Sequence, residues 1–183
     1  MINVSLNSSD LLVFATEMER DAIFPDGIVT GIGILSTAIN LSRVFERASR
    51  HRCPYRRAIQ VGIAGAYRSS GLSIGDVVEV ESDCMPEFSP WEPNAFSATD
   101  SLGLKRVKGA TVLSCTKTEE VGSARGKDFQ VETMEGAAFF AVCQEYGVQA
   151  IQVRAISNFA GLYDKSEWEI EKALKKLSFF TQV

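Results

Sequence analysis

An α/β domain with a largely parallel sheet is the fold class that the sequence predicts. Short apolar runs typical of buried strands recur along the chain, and segments with helical periodicity alternate with them. Glycines close several of these runs, as they do where a strand turns into the next element. A length of 183 residues is enough for one sizeable core. We therefore expect residues 1–183 to form a single domain.

The first half of the chain supplies four predicted strands and one predicted helix. Residues 35–49 predict the helix, because their apolar residues recur at spacings that place them on one face. The strands follow from short apolar or partly alternating runs bounded by glycines. They are LLVFAT (11–16), GIVTGIG (27–33), RAIQVGIAGAY (57–67) and SIGDVVEVES (73–82).

The second half continues the alternation after an irregular stretch. Residues 85–100 contain three prolines and no periodicity, so we expect a long loop there and consider it a candidate lid over a site. Gly147 suits the left-handed cap that ends a helix. The predicted elements are a strand at 109–115, a helix at 131–147, a strand at 148–156 and an amphipathic helix at 166–177.

Composition and charge exclude several classes of protein. Hydrophobic residues make up 45% and charged residues 23%, which is typical of a globular domain. The net charge is −4 and there is no basic run, so nothing predicts binding to nucleic acid or to an anionic membrane. The first ten residues have neither the basic start nor the apolar core of a signal peptide. We expect a soluble cytoplasmic protein.

Cysteine and histidine usage limits the chemistry further. The four cysteines are widely separated, and His51 is the single histidine. Neither a disulfide framework nor a zinc site has this pattern, so we expect reduced thiols and no bound metal. A nucleophile activated by histidine would depend on His51, which lies in a charged, turn-like stretch. Carboxylates and amides are the better candidates for catalysis.

Polar residues and glycines follow several of the predicted strands. Glu17 and Glu19 come after the first strand, and GIAG (62–65) ends the third. Glu135 lies at the start of a helix, and Asn158 ends the strand of IQVRAISN. In a parallel α/β sheet, ligands bind beyond the carboxyl ends of the strands. We therefore expect these features to meet at one rim of the sheet.

Most of these features also have a purely structural interpretation. Glu135 would complement a helix macrodipole, or it would bind a ribose diol, since an unpaired carboxylate among apolar neighbours is costly. Met134 is core, or it packs beneath a sugar or base. Ala64 and Gly65 form a tight connection, or they let backbone N–H groups approach a ligand. Glu17 and Glu19 are solvated, or one of them activates water as a general base.

Asn158 also has two interpretations. Its amide could satisfy backbone groups at the end of a strand. It could instead contact the edge of a heterocycle, since it carries one acceptor and two donors in a plane. An asparagine can donate to a 6-oxo group or to N7, which favours hypoxanthine or guanine over adenine.

An ordered set of motifs resembles a known superfamily. GIAGAY, IGDVVEVES, VETMEGAAFFAVCQEYGV and VRAISN occur in this order, and the similarity extends from LLVFATEMER to the last helix. The set resembles the nucleoside phosphorylase/nucleosidase superfamily. MEG, RAISN and SEWEIEKALKKL look most like the futalosine hydrolases of menaquinone biosynthesis. The resemblance implies a three-layer α/β/α fold with a mixed, mostly parallel sheet. It also implies hydrolysis of a purine N-glycosidic bond without metal or cofactor.

The resemblance also implies roles for individual residues. Glu19 stands at the position of the water-activating base, Glu135 at that of the group that binds the ribose hydroxyls, and Met134 at that of a residue packed against the sugar. Asn158 replaces the aspartate of the methylthioadenosine/S-adenosylhomocysteine nucleosidases and is expected where hypoxanthine is released. Phe129 would stack on the base. Relatives borrow pocket residues from a partner subunit, so we expect a homodimer or a higher homo-oligomer.

Other functions remain open at this point. A purine nucleoside phosphorylase acting on 6-oxopurines shares the fold, but Gln60 and Ile63 replace the arginine and serine of the hexameric type. A methylthioadenosine/S-adenosylhomocysteine nucleosidase fits Asn158 poorly. A purine-nucleoside binding protein without activity is a further alternative, because residues 20–30 and 117–130 are shorter than in relatives. Trp168 and Tyr163 are candidates for the far end of the pocket.

Overall fold

The fold is seen in a computed structural model that describes residues 4–51, 55–88, 95–161 and 164–182. Ten strands and five helices lie in these ranges. Short 3-10 turns occur at Arg68–Ser70 and Lys165–Glu167. The strands are β1 (Val4–Leu6), β2 (Asp10–Phe14), β3 (Ile28–Val29), β4 (Arg57–Ala66), β5 (Val77–Cys84), β6 (Ala95–Ser97), β7 (Lys105–Thr111), β8 (Val131–Thr133), β9 (Gln149–Phe159) and β10 (Phe180–Gln182). The helices are α1 (Glu17–Ile23), α2 (Ile34–Arg50), α3 (Glu119–Arg125), α4 (Gly136–Tyr146) and α5 (Ile170–Lys176).

The main sheet is mixed and closes on itself. Strands β3, β2, β4 and β9 pair in parallel, as do β5, β7 and β8. Strand β8 pairs antiparallel with the end of β4, and β5 pairs antiparallel with β9. The five strands β4, β8, β7, β5 and β9 therefore form a closed, barrel-like ring. The predicted α/β class and mixed sheet are confirmed, but the ring differs from the open sheet of a simple three-layer sandwich.

Helices cover both faces of the sheet, and each face has its own hydrophobic cluster. Helices α2 and α4 contribute to one cluster, and α1 and α5 to the other. Strand β2 serves both, since successive side chains of a strand point to opposite faces. Leu11 and Val13 join the first cluster, and Leu12 and Phe14 join the second. None of the helices in the described ranges is long and apolar enough to cross a membrane.

Several boundaries differ from the prediction. The segment predicted as a helix at 131–147 begins as strand β8, and α4 starts only at Gly136. The predicted loop at 85–100 contains strand β6, while its residues 89–94 lie outside the described ranges. The last helix begins at Ile170, after a 3-10 turn.

The IQVRAISN strand is also longer than predicted. Strand β9 extends to Phe159 and remains paired with β4, so Asn158 lies within the strand and not beyond its tip. The helix before it ends as predicted, because Gly147 has a φ of 65° and forms the left-handed cap of α4.

Candidate active site

A pocket of about 160 Å³ lies beside the carboxyl-terminal part of β4. The resemblance predicted that Phe129 stacks on the purine base, but Phe129 is not among the residues that line the pocket. It is half-buried and, like Met134, packs against a small hydrophobic cluster. Glu17 is exposed, which agrees with the solvated interpretation of that residue. The other predicted site residues all line the pocket: Glu19, Ala64, Gly65, Met134, Glu135 and Asn158.

Glu19 is held rigidly at the start of α1. Thr16 and Glu19 form a capping box, in which Thr16 Oγ1 accepts from the Glu19 backbone N–H and Glu19 Oε2 accepts from the Thr16 backbone N–H at 3.0 Å. Glu19 Oε1 accepts from the Ile63 backbone N–H at 3.1 Å. A Cβ on Gly62 would lie only 2.5 Å from Oε1, so this approach depends on a glycine. These hydrogen bonds fix the carboxylate at the edge of the pocket.

Glu135 occupies the N-cap position of α4, yet its side chain makes no capping bond to that helix. Its Oε1 instead accepts from the Gly33 backbone N–H at 3.0 Å, which links α4 to the start of α2. Its Oε2 lies 3.8 Å from Arg154 Nη2. Burial raises the pKa of Glu135, while Arg154 and the Gly33 N–H act in the opposite direction. Complementing the macrodipole of α4 therefore does not by itself account for this carboxylate.

Arg154 lies beneath both carboxylates. It is 1% exposed, and its Nε and Nη2 donate to Gln152 Oε1 at 2.9 Å and to Gln60 Oε1 at 2.8 Å. A Cβ on Gly62 would lie 2.8 Å from Arg154 Nη1 as well as close to Glu19 Oε1. No role was predicted for Arg154, although an arginine in an apolar strand indicates a buried partner for its charge.

Asn158 presents a donor to the pocket. Ser157 Oγ donates to Asn158 Oδ1 at 2.8 Å, and this bond fixes the orientation of the amide. Nδ2 is thereby directed past Gly65, where a Cβ would lie 3.1 Å from it. The side chain is 8% exposed and lines the pocket. The amide therefore presents a hydrogen-bond donor at the pocket wall.

The pocket also includes residues that sequence analysis did not select. Glu132 and Thr133 on β8 are 5% exposed, and their polar side chains in a buried strand were the available signal. Trp168 lines the pocket, as expected for a residue at its far end, whereas Tyr163 lies outside the described residues. Thr16, Met18, Ile32 and Cys115 also line it.

Known proteins resemble this chain in sequence. Residues 109–179 match the family model of the phosphorylase superfamily. A futalosine hydrolase from Thermus thermophilus is 34% identical over 176 residues, which cover 81% of this chain and 76% of the relative. A futalosine hydrolase from Streptomyces coelicolor is 22% identical over an alignment of 194 positions, which covers 89% of this chain and 82% of the relative.

Solved structures show the same fold. A futalosine hydrolase mutant of Helicobacter pylori superposes with a TM-score of 0.80 at 16% identity, covering 92% of this chain and 94% of that one. A mutant of the Helicobacter pylori 5'-methylthioadenosine/S-adenosylhomocysteine nucleosidase (MTAN), with 5'-methylthioadenosine in its active site, superposes with a TM-score of 0.77 at 16% identity. The superposition covers 94% of this chain and 96% of that one. At such identities the structures establish the fold, and the Thermus relative establishes the family. The chain therefore belongs to the futalosine hydrolase family, within the phosphorylase superfamily.

Proposed function

We propose that the protein hydrolyses the N-glycosidic bond of futalosine and releases hypoxanthine and dehypoxanthinylfutalosine, a step of menaquinone biosynthesis. The observation that carries this proposal is the meeting of three groups in one pocket. Glu19 comes from α1, Glu135 from the start of α4 and Asn158 from β9, and all three line it. The family to which the chain belongs supports the same substrate.

In the proposed reaction, water attacks the anomeric carbon while the bond from that carbon to N9 breaks. Glu19 takes one proton of the attacking water, and the bonding electron pair leaves with the purine, whose anion then takes up a proton from solvent to give hypoxanthine. Glu135 accepts hydrogen bonds from the ribose hydroxyls and favours the positive charge that develops on the sugar. Asn158 Nδ2 donates to N7 or O6, a preorganised bond that strengthens as the base becomes negative.

Water is favoured over phosphate as the acceptor by the charges around the pocket. Among the described residues that line it, no lysine or arginine is present. The nearby cation, Arg154, is 1% exposed and already donates to Gln60 and Gln152. A phosphorylase needs cationic groups directed at its phosphate.

The test is chromatographic detection of free base after incubation with futalosine, inosine and methylthioadenosine, each with and without phosphate. We expect hypoxanthine from futalosine, independent of phosphate. Phosphate-dependent release from inosine would identify a phosphorylase acting on 6-oxopurine nucleosides. Adenine from methylthioadenosine would overturn the role of Asn158. Absence of any release would identify a purine-nucleoside binding protein.

A homodimer is part of the proposal, because apolar side chains are exposed next to the pocket. Ile32, Leu35 and Ile39 are 57%, 76% and 50% exposed at the start of α2, and Ile32 and Met18 also line the pocket. A patch of this kind typically marks a protein interface. Light scattering should give twice the monomer mass, and Leu35→Glu should reduce it to the monomer mass. A monomeric wild-type protein would contradict this part of the proposal.

One catalytic domain over residues 1–183 and a cytoplasmic location complete the proposal. Both hydrophobic clusters draw on strands β2, β4 and β9, which favours a single cooperative unit. A single calorimetric unfolding transition would support one domain, and cell fractionation tests the location.

A further inference from the structure

Gly65 lies between two polar side chains that belong to different strands. In the sheet it is paired with Glu132 of β8 on one side and with Asn158 of β9 on the other. Paired residues of neighbouring strands point to the same face. Because Gly65 has no side chain, the space between Glu132 and Asn158 is open to the pocket that all three residues line.

The two side chains offer complementary groups across this space. A Cβ on Gly65 would lie 3.1 Å from Asn158 Nδ2 and 3.4 Å from Glu132 Cγ, so the amide and the methylene chain that carries the Glu132 carboxylate border the same space. Asn158 Nδ2 is a donor, since Ser157 Oγ occupies its Oδ1. The Glu132 carboxylate is an acceptor. A planar ring placed there would meet a donor on one side and an acceptor on the other.

Glu132 retains the capacity to accept one more hydrogen bond. Its Oε2 accepts from Tyr67 Oη at 3.0 Å and from Thr116 Oγ1. Among the described residues, its Oε1 accepts only from the Thr116 backbone N–H, at 2.9 Å. A carboxylate oxygen accepts two bonds, so Oε1 has a lone pair left. Burial and the Glu132 charge raise the pKa of Tyr67, which keeps its hydroxyl a donor.

This pair lies at the opposite end of the pocket from Glu19. Glu19 approaches β4 at Gly62, whereas Glu132 and Asn158 flank it at Gly65. Three residues of strand span about 10 Å, which suits a nucleoside whose sugar lies at one end and whose base lies at the other.

We propose that Glu132 is a specificity-determining residue that accepts a hydrogen bond from N1–H of a 6-oxopurine while Asn158 donates to its O6 or N7. The inference rests on the proposed function and deepens it, since it names the group that distinguishes the base. Hypoxanthine presents a donor at N1 and an acceptor at O6. Adenine presents an acceptor at N1 and a donor at its amino group. The lone pair of its N1 would therefore face a lone pair of the Glu132 carboxylate, and the two would repel each other.

Calorimetric dissociation constants for hypoxanthine and adenine, with the wild-type protein and Glu132→Gln, test this role. The wild type should bind hypoxanthine more tightly than adenine. In Glu132→Gln the new amide can donate to N1 of adenine, so the ratio of the two constants should fall roughly 10- to 100-fold, the size of one lost charged hydrogen bond. If both bases weaken by the same factor, Glu132 is only structural and the inference is wrong.

Tyr67→Phe is the matched control, since it removes one bond to Glu132 but keeps the carboxylate. It should leave the preference for hypoxanthine in place. A wild-type measurement avoids any folding defect of the variants: 1-methylhypoxanthine, which lacks the N1 donor, should bind roughly 10-fold or more weakly than hypoxanthine. Equal binding of the two bases would overturn the inference.

Failure of this inference is distinguishable from failure of the proposed function. Hypoxanthine release from futalosine by the wild-type protein tests the function alone. If the wild type hydrolyses futalosine and Glu132→Gln leaves the ratio of base affinities unchanged, the role of Glu132 falls and the function stands.

Discussion

The two ends of the pocket hold buried carboxylates by different means. At the sugar end, Arg154 lies 3.8 Å from Glu135 and next to Glu19, so a cation balances the charges. At the base end, Glu132 accepts from the neutral donors of Tyr67 and Thr116, and the cation there, Arg125, is one hydrogen bond further away, since it donates to Thr116 Oγ1 at 2.8 Å. A cation balances charge that cannot reach water, whereas neutral donors leave a carboxylate free to meet a ligand. Under the proposed function, a cation in direct contact therefore holds the end assigned to the sugar, and neutral donors hold the end assigned to the base.

The charged end continues into the protein through a chain of hydrogen bonds. Arg154 donates to Gln152, Gln152 donates to Asp83 Oδ2 at 3.3 Å, and Thr111 donates to Asp83 Oδ1 at 2.8 Å. Thr111 Oγ1 in turn accepts from the backbone N–H of Ala137 at 2.8 Å, in the first turn of α4. The position of Arg154 is thereby coupled to the helix that carries Glu135.

The largest effect is expected from Glu19→Gln. Glutamine can keep the capping box, so the fold should persist while the base for water is lost. Turnover should fall roughly 10²- to 10⁴-fold with little change in KM. Steady-state kinetics of hypoxanthine release would measure this, with the exposed Glu17→Gln as the control. Full turnover in an active preparation of Glu19→Gln would assign the base elsewhere.

Arg154→Met tests the charge balance at the sugar end of the pocket, because it removes the cation there. Glu135 and Asp83 would lose the charge that balances them, so the free energy of unfolding should fall by roughly 3–5 kcal/mol. Urea denaturation would measure this, and Arg43→Met on the exposed face of α2 should change stability by less than about 0.5 kcal/mol. If the free energy of unfolding falls no more than in Arg43→Met, the charge of Arg154 does not stabilise Glu135 and Asp83.

Asp83 should make stability depend on pH. Burial raises its pKa to about 6 from an ordinary value of 3.8. Because the pKa is higher in the folded than in the unfolded state, protonated Asp83 stabilises the fold. This contribution to the free energy of unfolding is complete below pH 3.8, is lost as pH rises through about 6, and is on the order of 3 kcal/mol. Asp83→Asn should therefore show a smaller loss of stability than the wild type between pH 4 and pH 7.

Urea denaturation at several pH values would measure that difference. The exposed Asp128→Asn serves as the control and should keep the wild-type pH dependence. Parallel profiles for the wild type and Asp83→Asn would show that Asp83 does not titrate in this range.

Thr116→Val sharpens the comparison from the neutral end. It removes the Oγ1 donor to Glu132 but leaves the backbone N–H bond. Arg125 also loses Thr116 Oγ1 as an acceptor, but it keeps its ion pair with Glu87. The expected loss is about 2 kcal/mol in the free energy of unfolding, the value of one hydrogen bond to a charged group. Thermal or urea unfolding would measure it. A loss as large as that of Arg154→Met would contradict the distinction between the two ends.

Local sequence patterns by themselves determined the elements and part of the site. Alternating strands and helices predicted the α/β class, and the rule that strands end at one rim brought Glu19, Glu135 and Asn158 together. The amide chemistry of Asn158 predicts that it donates to a base, and this role stays a prediction; the structure shows that Ser157 Oγ donates to its Oδ1, which leaves Nδ2 as the donor. These conclusions depend on residue type and on spacing along short segments, which are visible in a sequence.

Only the tertiary structure decided which residues of neighbouring strands meet. Whether residues 131–133 form a strand or a helical turn depends on their pairing with β4 and β7, since a short apolar run fits either. That pairing places Glu132 opposite Gly65, and the pairing of β4 with β9 places Asn158 on its other side. The same closure of the ring brings Arg154 beneath the carboxylates. Such contacts join residues far apart in the chain, and register across a sheet is set by packing that no local pattern records.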